Sequence, residues 1–449
     1  MISLSVDVGT SAVKASLVDG AGRELSAAGA EYPHVRLPGE KVEIDPGTLL
    51  DAVRRAVLGL DDDLRRRVDE VVYDTFSPSL VVVRRSGELA YPRIVTHLDR
   101  RSRVESDDVI RRVGGERFLE ITGFLPFVGG SGLLSLLWLR RHEPEAMAGA
   151  HRVGHLTTYL HHWLTGEWTT DLVNASMFGA YETVAQGGWS AEILDAFDLP
   201  RAWFPEVRLP GTELGGLRPE AARALGIPAG VPVAVGTNDM AAAQVGAGND
   251  RPGSIMNAAG SSEMVSVLTD RPVTNPRYYL RCAASPGLWQ IYATTAGGFA
   301  LDWFHQQFAR ELDRDDFFGE LVPRALAEHV GEGPVGFQPY LTGDRQSLDR
   351  RTASWTGLTL GTTREEMLAA LVGATLGVLG TTIDLAREVV DLAPVIKVSG
   401  GLASDAYLAA KGAAIPGFRF EHVRNCSVHG NVRLARRHRD ATTTEEAAS

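Results

Sequence analysis

The chain has 449 residues, 44% of them hydrophobic and 22% charged, with a formal net charge of -11. That length exceeds one ordinary core and predicts about two to three domains of a soluble globular protein. The acidic balance excludes a general nucleic-acid binder, which carries a basic face; two cysteines, Cys282 and Cys426, exclude a disulfide scaffold or a cysteine-based zinc site and fit a reducing, cytoplasmic setting.

Met1–Ile–Ser–Leu–Ser enters a strand pattern directly, with no basic leader or cleavable apolar segment. No apolar run approaches the roughly 20 residues that cross a bilayer, so no membrane partner is expected. Ile2–Val8 alternates apolar and polar residues at strand spacing, Gly9–Thr10–Ser11 breaks it, and Val13–Val18 resumes it. Asp19–Gly20–Ala21–Gly22 is a turn signal before a third strand, so the chain opens as an antiparallel meander. Asp45–Pro46 caps a helix pattern through Leu60, with proline at the favoured first position. Val71–Tyr73 is a short strand leading into Asp74–Thr–Phe–Ser–Pro–Ser79, and Ile94–Val95 leads into the polar cluster His97–Leu–Asp99–Arg–Arg101. Residues 132–141 and 155–164 read as helices.

The apolar strand Val231–Val235 delivers Gly236–Thr–Asn–Asp239, after which small residues open a helix. Gly260–Ser–Ser–Glu–Met–Val–Ser–Val–Leu–Thr–Asp270 then resembles Gly9–Thr–Ser–Ala–Val–Lys–Ala–Ser–Leu–Val–Asp19. An internal repeat of this kind predicts two related domains, each opening with a strand–turn–strand hairpin. Val395–Val398 is a strand, Ser399–Gly–Gly–Leu–Ala–Ser404 a glycine loop before a helix, and the polar stretch 436–449 an expected disordered tail.

Several of these stretches suit phosphate chemistry. The Gly–Thr/Ser–Ser turns present backbone N–H groups and hydroxyls together, which suits phosphate oxygens; either one alone is equally an ordinary hairpin turn. No Walker A pattern is present. Asp7, at the end of the first strand, is placed to hold Mg²⁺ directly or through water, or to bond turn amides. Asp239 reads alone as a helix cap favoured by the helix dipole. Facing a nucleotide, it reads as the single general base that phosphoryl transfer needs. His161–His162 lacks metal spacing and reads as structural or surface.

In order and spacing, Asp7–Val–Gly–Thr–Ser–Ala–Val–Lys14, Leu98–Asp–Arg–Arg101, Trp138–Leu–Arg–Arg–His–Glu143, Gly236–Thr–Asn–Asp239, Gly260–Ser–Ser262, Gly297–Gly–Phe–Ala–Leu–Asp–Trp–Phe304, Pro339–Tyr–Leu–Thr–Gly343, Gly357–Leu–Thr–Leu–Gly361 and Ser399–Gly–Gly–Leu–Ala–Ser404 resemble the FGGY carbohydrate kinases of the actin/hexokinase/Hsp70 ATPase superfamily. The resemblance covers residues 1–435. It implies an α/β fold of two ribonuclease-H-like (actin-like ATPase) domains with a central interdomain cleft, an N-terminal domain over 1–248 and a C-terminal one over 249–435. It implies ATP and Mg²⁺ as cofactors, and as partner a small-molecule sugar or polyol. Asp239 matches the catalytic base and Asp7 the carboxylate near the metal. Gly9, Thr10, Ser11 and Lys14 match the first phosphate loop, Gly260, Ser261 and Ser262 the second, and Gly400, Gly401 and Ser404 the adenosine loop. Asp99 and Arg100 fall where relatives contact substrate, and Ser77 lies in the other substrate stretch. A homodimer is compatible with the family.

Departures concentrate at the substrate. Relatives acting on xylulose carry Gln–Met–His where this chain has Phe76–Ser77–Pro78; the tryptophan before the Asp–Arg cluster is replaced around Thr96–His97; Ser135 and Val372 stand in for a lysine and a glutamate. The implied activity is an ATP-dependent kinase of a ketose, polyol, sugar acid or cyclitol, with a xylulose-like pentulose as the substrate class. The alternatives are a catalytically inactive sugar-binding regulator of the same fold and an actin- or Hsp70-like ATPase with a protein partner.

Overall fold

In a computed structural model, which describes residues 1–329, 333–345 and 348–448, the chain divides into two compact units. The first comprises Met1–Gly248, Leu280–Leu288 and the chain from Asn425 onward; the second comprises Asn249–Tyr279 and Trp289–Arg424. The first unit's first long stretch ends at Gly248, and the chain returns to that unit twice. Specific contacts hold both returns. Leu280 N–H donates to Gly123 O at 2.8 Å and Cys282 N–H to Ser176 Oγ at 3.1 Å. The C-terminal helix, Cys426–Ala448, buries Val428, Val432 and Ala435 against Val18, Val72 and Ala234. The stretch expected to be disordered from 436 is instead helical as far as Ala448. Arg436 anchors it by donating to Asp19 O at 2.7 Å, and Arg439 by pairing with Glu70; Ser449 lies outside the described residues.

The first unit is built on a sheet in which Ile2–Val8 pairs antiparallel with Ala12–Asp19, which pairs antiparallel with Glu24–Glu31. On its other side Ile2–Val8 pairs in parallel with Glu70–Thr75. Pro232–Ala234 and Thr237–Asn238 then pair in parallel with Glu70–Thr75. One face packs Leu4, Val6, Val8, Val13, Ala15 and Leu17 against Leu49, Val53 and Val57 of the helix Pro46–Leu58. That helix starts as expected, with Asp45 Oδ1 accepting Thr48 N–H at 2.9 Å, and ends at Leu58. The alternating sequence predicts a half-buried strand, yet the polar positions are buried too. Ser3 donates to Glu70 Oε1 at 2.5 Å and Ser5 to Val428 O at 3.3 Å, so under the C-terminal helix polar contacts stand beside the apolar cluster of Val18, Val72 and Ala234.

The second unit repeats the pattern. Ile255–Ala259 pairs antiparallel with Ser262–Thr269, and that strand antiparallel with Trp289–Ala296. Ile255–Ala259 also pairs in parallel with Val395–Ser399, which pairs in parallel with Arg419–His422. An antiparallel meander continued by parallel strands is the ribonuclease-H-like arrangement expected for both domains. The long helix Arg364–Arg387 opens with a capping box: Glu366 N–H reaches Thr363 Oγ1 at 3.2 Å, and Thr363 N–H reaches Glu366 Oε2 at 2.7 Å. Among the described residues it is the one helix long and apolar enough to cross a membrane by length and composition, and 56% of its apolar window is buried inside the protein.

Candidate functional site

Register sets the site in the first unit. Asp7 lies opposite Lys14 on one side and Asp74 on the other, and Asp74 lies opposite Thr237. Asp239 follows two residues later, as the first residue of the helix Asp239–Gly246. The strand breaks at Gly236 because the backbone passes close to its neighbour: a Cβ there would lie 2.8 Å from Tyr73 O. The Gly236 N–H freed from the ladder donates to His161 Nε2 at 2.9 Å, and His161 Nδ1–H donates to Thr169 O at 2.9 Å. Burial pushes His161 down to about 4, so the ring is neutral and can accept. Of the two readings open for it, structural or surface, His161 is buried and structural, and it fixes the turn in front of Asp239.

The small residues after Asp239 have an equally local cause. The helix Asp239–Gly246 crosses the C-terminal helix at backbone contact. A Cβ on Gly246 would lie 1.8 Å from Cys426 O, and one on Gly430 would lie 1.8 Å from Ala242 O. Larger side chains would push the helix, and Asp239 with it, away from the sheet.

Asp239 is half-buried. Its Oδ1 accepts from Asn238 Nδ2 at 2.8 Å and from Met240 N–H at 2.7 Å. Burial and then the Asp7 charge push it up to about 6, against the Met240 N–H and the Arg281 guanidinium. Asp74 is fully buried, and burial, Asp7 and Asp239 hold it well above the carboxylate range. It is hydrogen-bonded to Asp7 and accepts from Asn431 Nδ2 of the C-terminal helix at 2.5 Å. Asp7 is itself raised by burial, opposed by Lys14 and by the bond from Asp74. The Tyr32 hydroxyl donates to Gly9 O, and burial, Asp7 and Asp239 keep it protonated.

The expected phosphate turns are all hairpin tips or loops with open hydroxyls. Gly9 N–H bonds Ala12 O at 3.0 Å, leaving Ser11 exposed and Thr10 half-exposed. Gly260 N–H bonds Ser262 O at 3.0 Å; its own carbonyl accepts Gly298 N–H at 2.8 Å, and Ser261 is exposed. Gly400 has φ of +104°, and a Cβ on it would lie 2.3 Å from Ala259 O, so the third glycine loop lies against the strand that carries the second turn. Ser404 caps the helix Asp405–Ala414.

The residues expected to contact substrate divide. Asp99 is 2% exposed. Its oxygens accept Val42 N–H at 2.7 Å, Arg101 N–H at 3.0 Å and the Arg101 guanidinium at 2.7 Å. Arg101 also reaches Glu43 Oε1 at 2.6 Å. Asp99 therefore holds the loop rather than facing outward, because its lone pairs are already engaged. Arg100 remains half-buried, with its guanidinium donating to His97 O at 2.8 Å. Ser77 is bonded to Asn174 Oδ1; Asn174 is bonded to Asp171, and Asp171 Oδ1 accepts Thr237 Oγ1 at 2.9 Å. A polar chain thus joins the stretch around Ser77 to the turn before Asp239. The sequence does not single out Asp74, Asn431, Arg281 or Asn174. Only Asp74 had a usable signal: like Asp7, it is a carboxylate ending an apolar strand.

Among the described residues no group of three or more His, Cys, Asp or Glu could hold a metal ion. Mg²⁺ keeps several waters and takes one or two carboxylates, so the partly open Asp7 fits it without a full protein cage, with the buried Asp74 hydrogen-bonded behind it.

A model of the N-terminal domain of the FGGY family of carbohydrate kinases matches residues 2–246, more than half of the chain. The chain belongs to this family. It is 30% identical over 417 residues to the xylulose kinase of Streptomyces rubiginosus, covering 90% of this chain and 81% of that one. It is 27% identical over 350 residues to the xylulose kinase of Lactococcus lactis subsp. lactis (strain IL1403), covering 76% of this chain and 68% of that one. The structure of a ligand-bound xylulose kinase from Lactobacillus acidophilus matches with a TM-score of 0.85 at 21% identity, over 97% of this chain and 89% of that one. The protein is thus a carbohydrate kinase, a phosphotransferase with an alcohol acceptor, with the mixed α/β fold of these kinases, which have two actin-like ATPase domains.

Proposed function

We propose that this carbohydrate kinase transfers the γ-phosphoryl group of ATP to a hydroxyl of a ketose, polyol, sugar acid or cyclitol, with a xylulose-like pentulose as the substrate class. The observation that carries this reading is Asp239 itself. It is a half-open carboxylate anchored through Oδ1 alone, raised to about 6, at the end of a rigid turn. A base of that strength is ionised at neutral pH yet close enough to it to accept a proton.

In this reading Asp239 Oδ2 takes the proton of the substrate hydroxyl as its oxygen bonds to the γ-phosphorus, and the bond to the β-phosphate oxygen breaks to release ADP. Gly9, Thr10, Ser11 and Lys14, with Gly260, Ser261 and Ser262, hold the phosphates; Gly400, Gly401 and Ser404 hold the adenosine. Asp7 holds Mg²⁺ and Asp74 holds Asp7; the ion, when bound, neutralises phosphate charge. Ser77 and Arg100 meet the sugar, while Asp99 positions Arg101 and the loop. The first domain supplies the base and the sugar contacts, the second the adenosine loop. A cytoplasmic setting fits two buried cysteines that form no disulfide.

The test is purified protein with ATP, Mg²⁺ and a panel of ketoses, polyols, sugar acids and cyclitols. ADP should form with the cognate compound only. Tight binding of a panel member without turnover would sink the catalytic reading in favour of a sugar-binding regulator. ADP release that no sugar alters but a protein stimulates would favour a protein-partnered ATPase.

A further inference from the structure

The second domain contains a buried ion pair that the phosphoryl-transfer reading does not use. Lys411 and Glu263 are each 0% exposed and form a salt bridge. Lys411 Nζ also donates to Asn257 Oδ1 at 2.7 Å, and Asn257 Nδ2 donates to Glu263 Oε1 at 2.8 Å and to Met264 O at 2.8 Å. The Tyr407 ring lies 4.8 Å from Nζ.

The three polar residues come from three elements. Asn257 is on Ile255–Ala259 and Glu263 on Ser262–Thr269, the two strands whose tip is Gly260–Ser261. Ala259 lies opposite Glu263, so Asn257 and Glu263 project from the same face of the hairpin. Lys411 is on Asp405–Ala414, the helix that begins at Ser404 after the loop Gly400–Gly401. The network therefore joins the hairpin of one candidate nucleotide loop to the helix of the other.

A buried pair of this kind is poor value for stability alone, because two charges lose their hydration and apolar side chains of similar size do as well. What it adds is direction. Nζ is satisfied only where Glu263 Oε1 and Asn257 Oδ1 are both in reach, which fixes the rotation and height of the helix over the hairpin. The geometry points to Lys411 and Glu263 as positioning residues that set the distance between the second phosphate turn and the glycine loop, and so the affinity for nucleotide. This rests on the reading of both loops as nucleotide contacts.

The test is calorimetric ADP binding and thermal melting of the full chain. Lys411→Met alone should lower both Tm and ADP affinity, since it strands a buried carboxylate. In the double variant Glu263→Met/Lys411→Met, Tm should recover towards wild type while ADP binds about tenfold more weakly, as for loss of about 1.4 kcal/mol of preorganisation. A folded double variant that binds ADP like wild type overturns the proposal. If the double variant does not fold, Asn257→Leu decides in the same way, since it removes one of the two acceptors that fix Nζ and leaves the ion pair in place. Gly260→Val and Gly401→Val test the underlying reading separately. A Cβ at either position meets nothing within 4 Å, so both variants should fold while filling the space given to nucleotide. If these two bind ADP normally, the loop assignment fails; if they weaken it and the ion-pair variants do not, only the positioning role fails.

Discussion

His161 Nε2 accepts the backbone N–H of Gly236 at 2.9 Å, three residues before Asp239. A neutral, fully buried histidine thus takes the place of a ladder partner where the strand turns towards the candidate base. His161→Leu should leave Gly236 N–H and Thr169 O without their partner, at a cost of about 1–3 kcal/mol. It should also lower kcat more than it raises KM for nucleotide, because the turn carrying Asp239 loosens. His161→Gln should recover part of both in thermal melting and initial-rate measurements; a variant with lowered Tm and wild-type kcat would show that the ring only stabilises the fold.

Asp239→Asn should lower kcat by about 10² or more while ADP binding stays near wild type. The wild-type profile of kcat/KM should fall as pH drops through about 6, since the base works only when ionised. Stability runs the other way. The folded pKa lies above that of the unfolded chain, so the folded state holds the proton more tightly. Asp239 therefore costs stability as pH rises from about 4 to about 6, and the cost persists above that. At pH 7 Asp239→Asn should melt higher than wild type, by about 1–2 kcal/mol of stability. An unchanged acid limb in a slow but active Asp239→Asn variant would move the base elsewhere.

Gly430→Val should be among the most damaging single changes, because the added side chain meets Ala242 O in a helix crossing with no room to relax. A loss of about 3 kcal/mol or more is expected from such overpacking against backbone. Truncation after Asn425 should give protein that fails to melt cooperatively, since Val428, Val432 and Ala435 close one face of the first sheet. A soluble, cooperatively melting truncation would remove this helix from the core.

Asp99 and Ser77 should separate in their effects. Asp99→Ala leaves Arg101 and Glu43 buried without their third member and should cost about 3–5 kcal/mol. Ser77→Ala loses one bond to Asn174 and should change Tm little while shifting KM for the sugar several-fold. Equal KM changes at unchanged Tm in both variants would return Asp99 to the substrate.

Much of the domain plan is local and so was legible in the chain. Strand alternation, the two glycine–hydroxyl turns and the repeat between residues 9–19 and 260–270 carry the hairpins, because a turn and its flanking strands are set by neighbouring residues. The apolar strand ending at a glycine turn before Asp239 was visible for the same reason. What surrounds Asp239 depends on distant chain. Arg281 acts on it because residues 280–288 return to the first unit, and Asn431 reaches Asp74 because the chain from Asn425 onward, read in sequence as the end of the second domain, returns as a helix on the first sheet. Asp99 falls where relatives contact substrate, and its hydrogen bonds to Val42 and Arg101 are set by packing alone. Composition and periodicity determine which elements form; which polar groups satisfy one another is decided only by packing, since burial brings together residues with no proximity in sequence and makes each unmade bond costly.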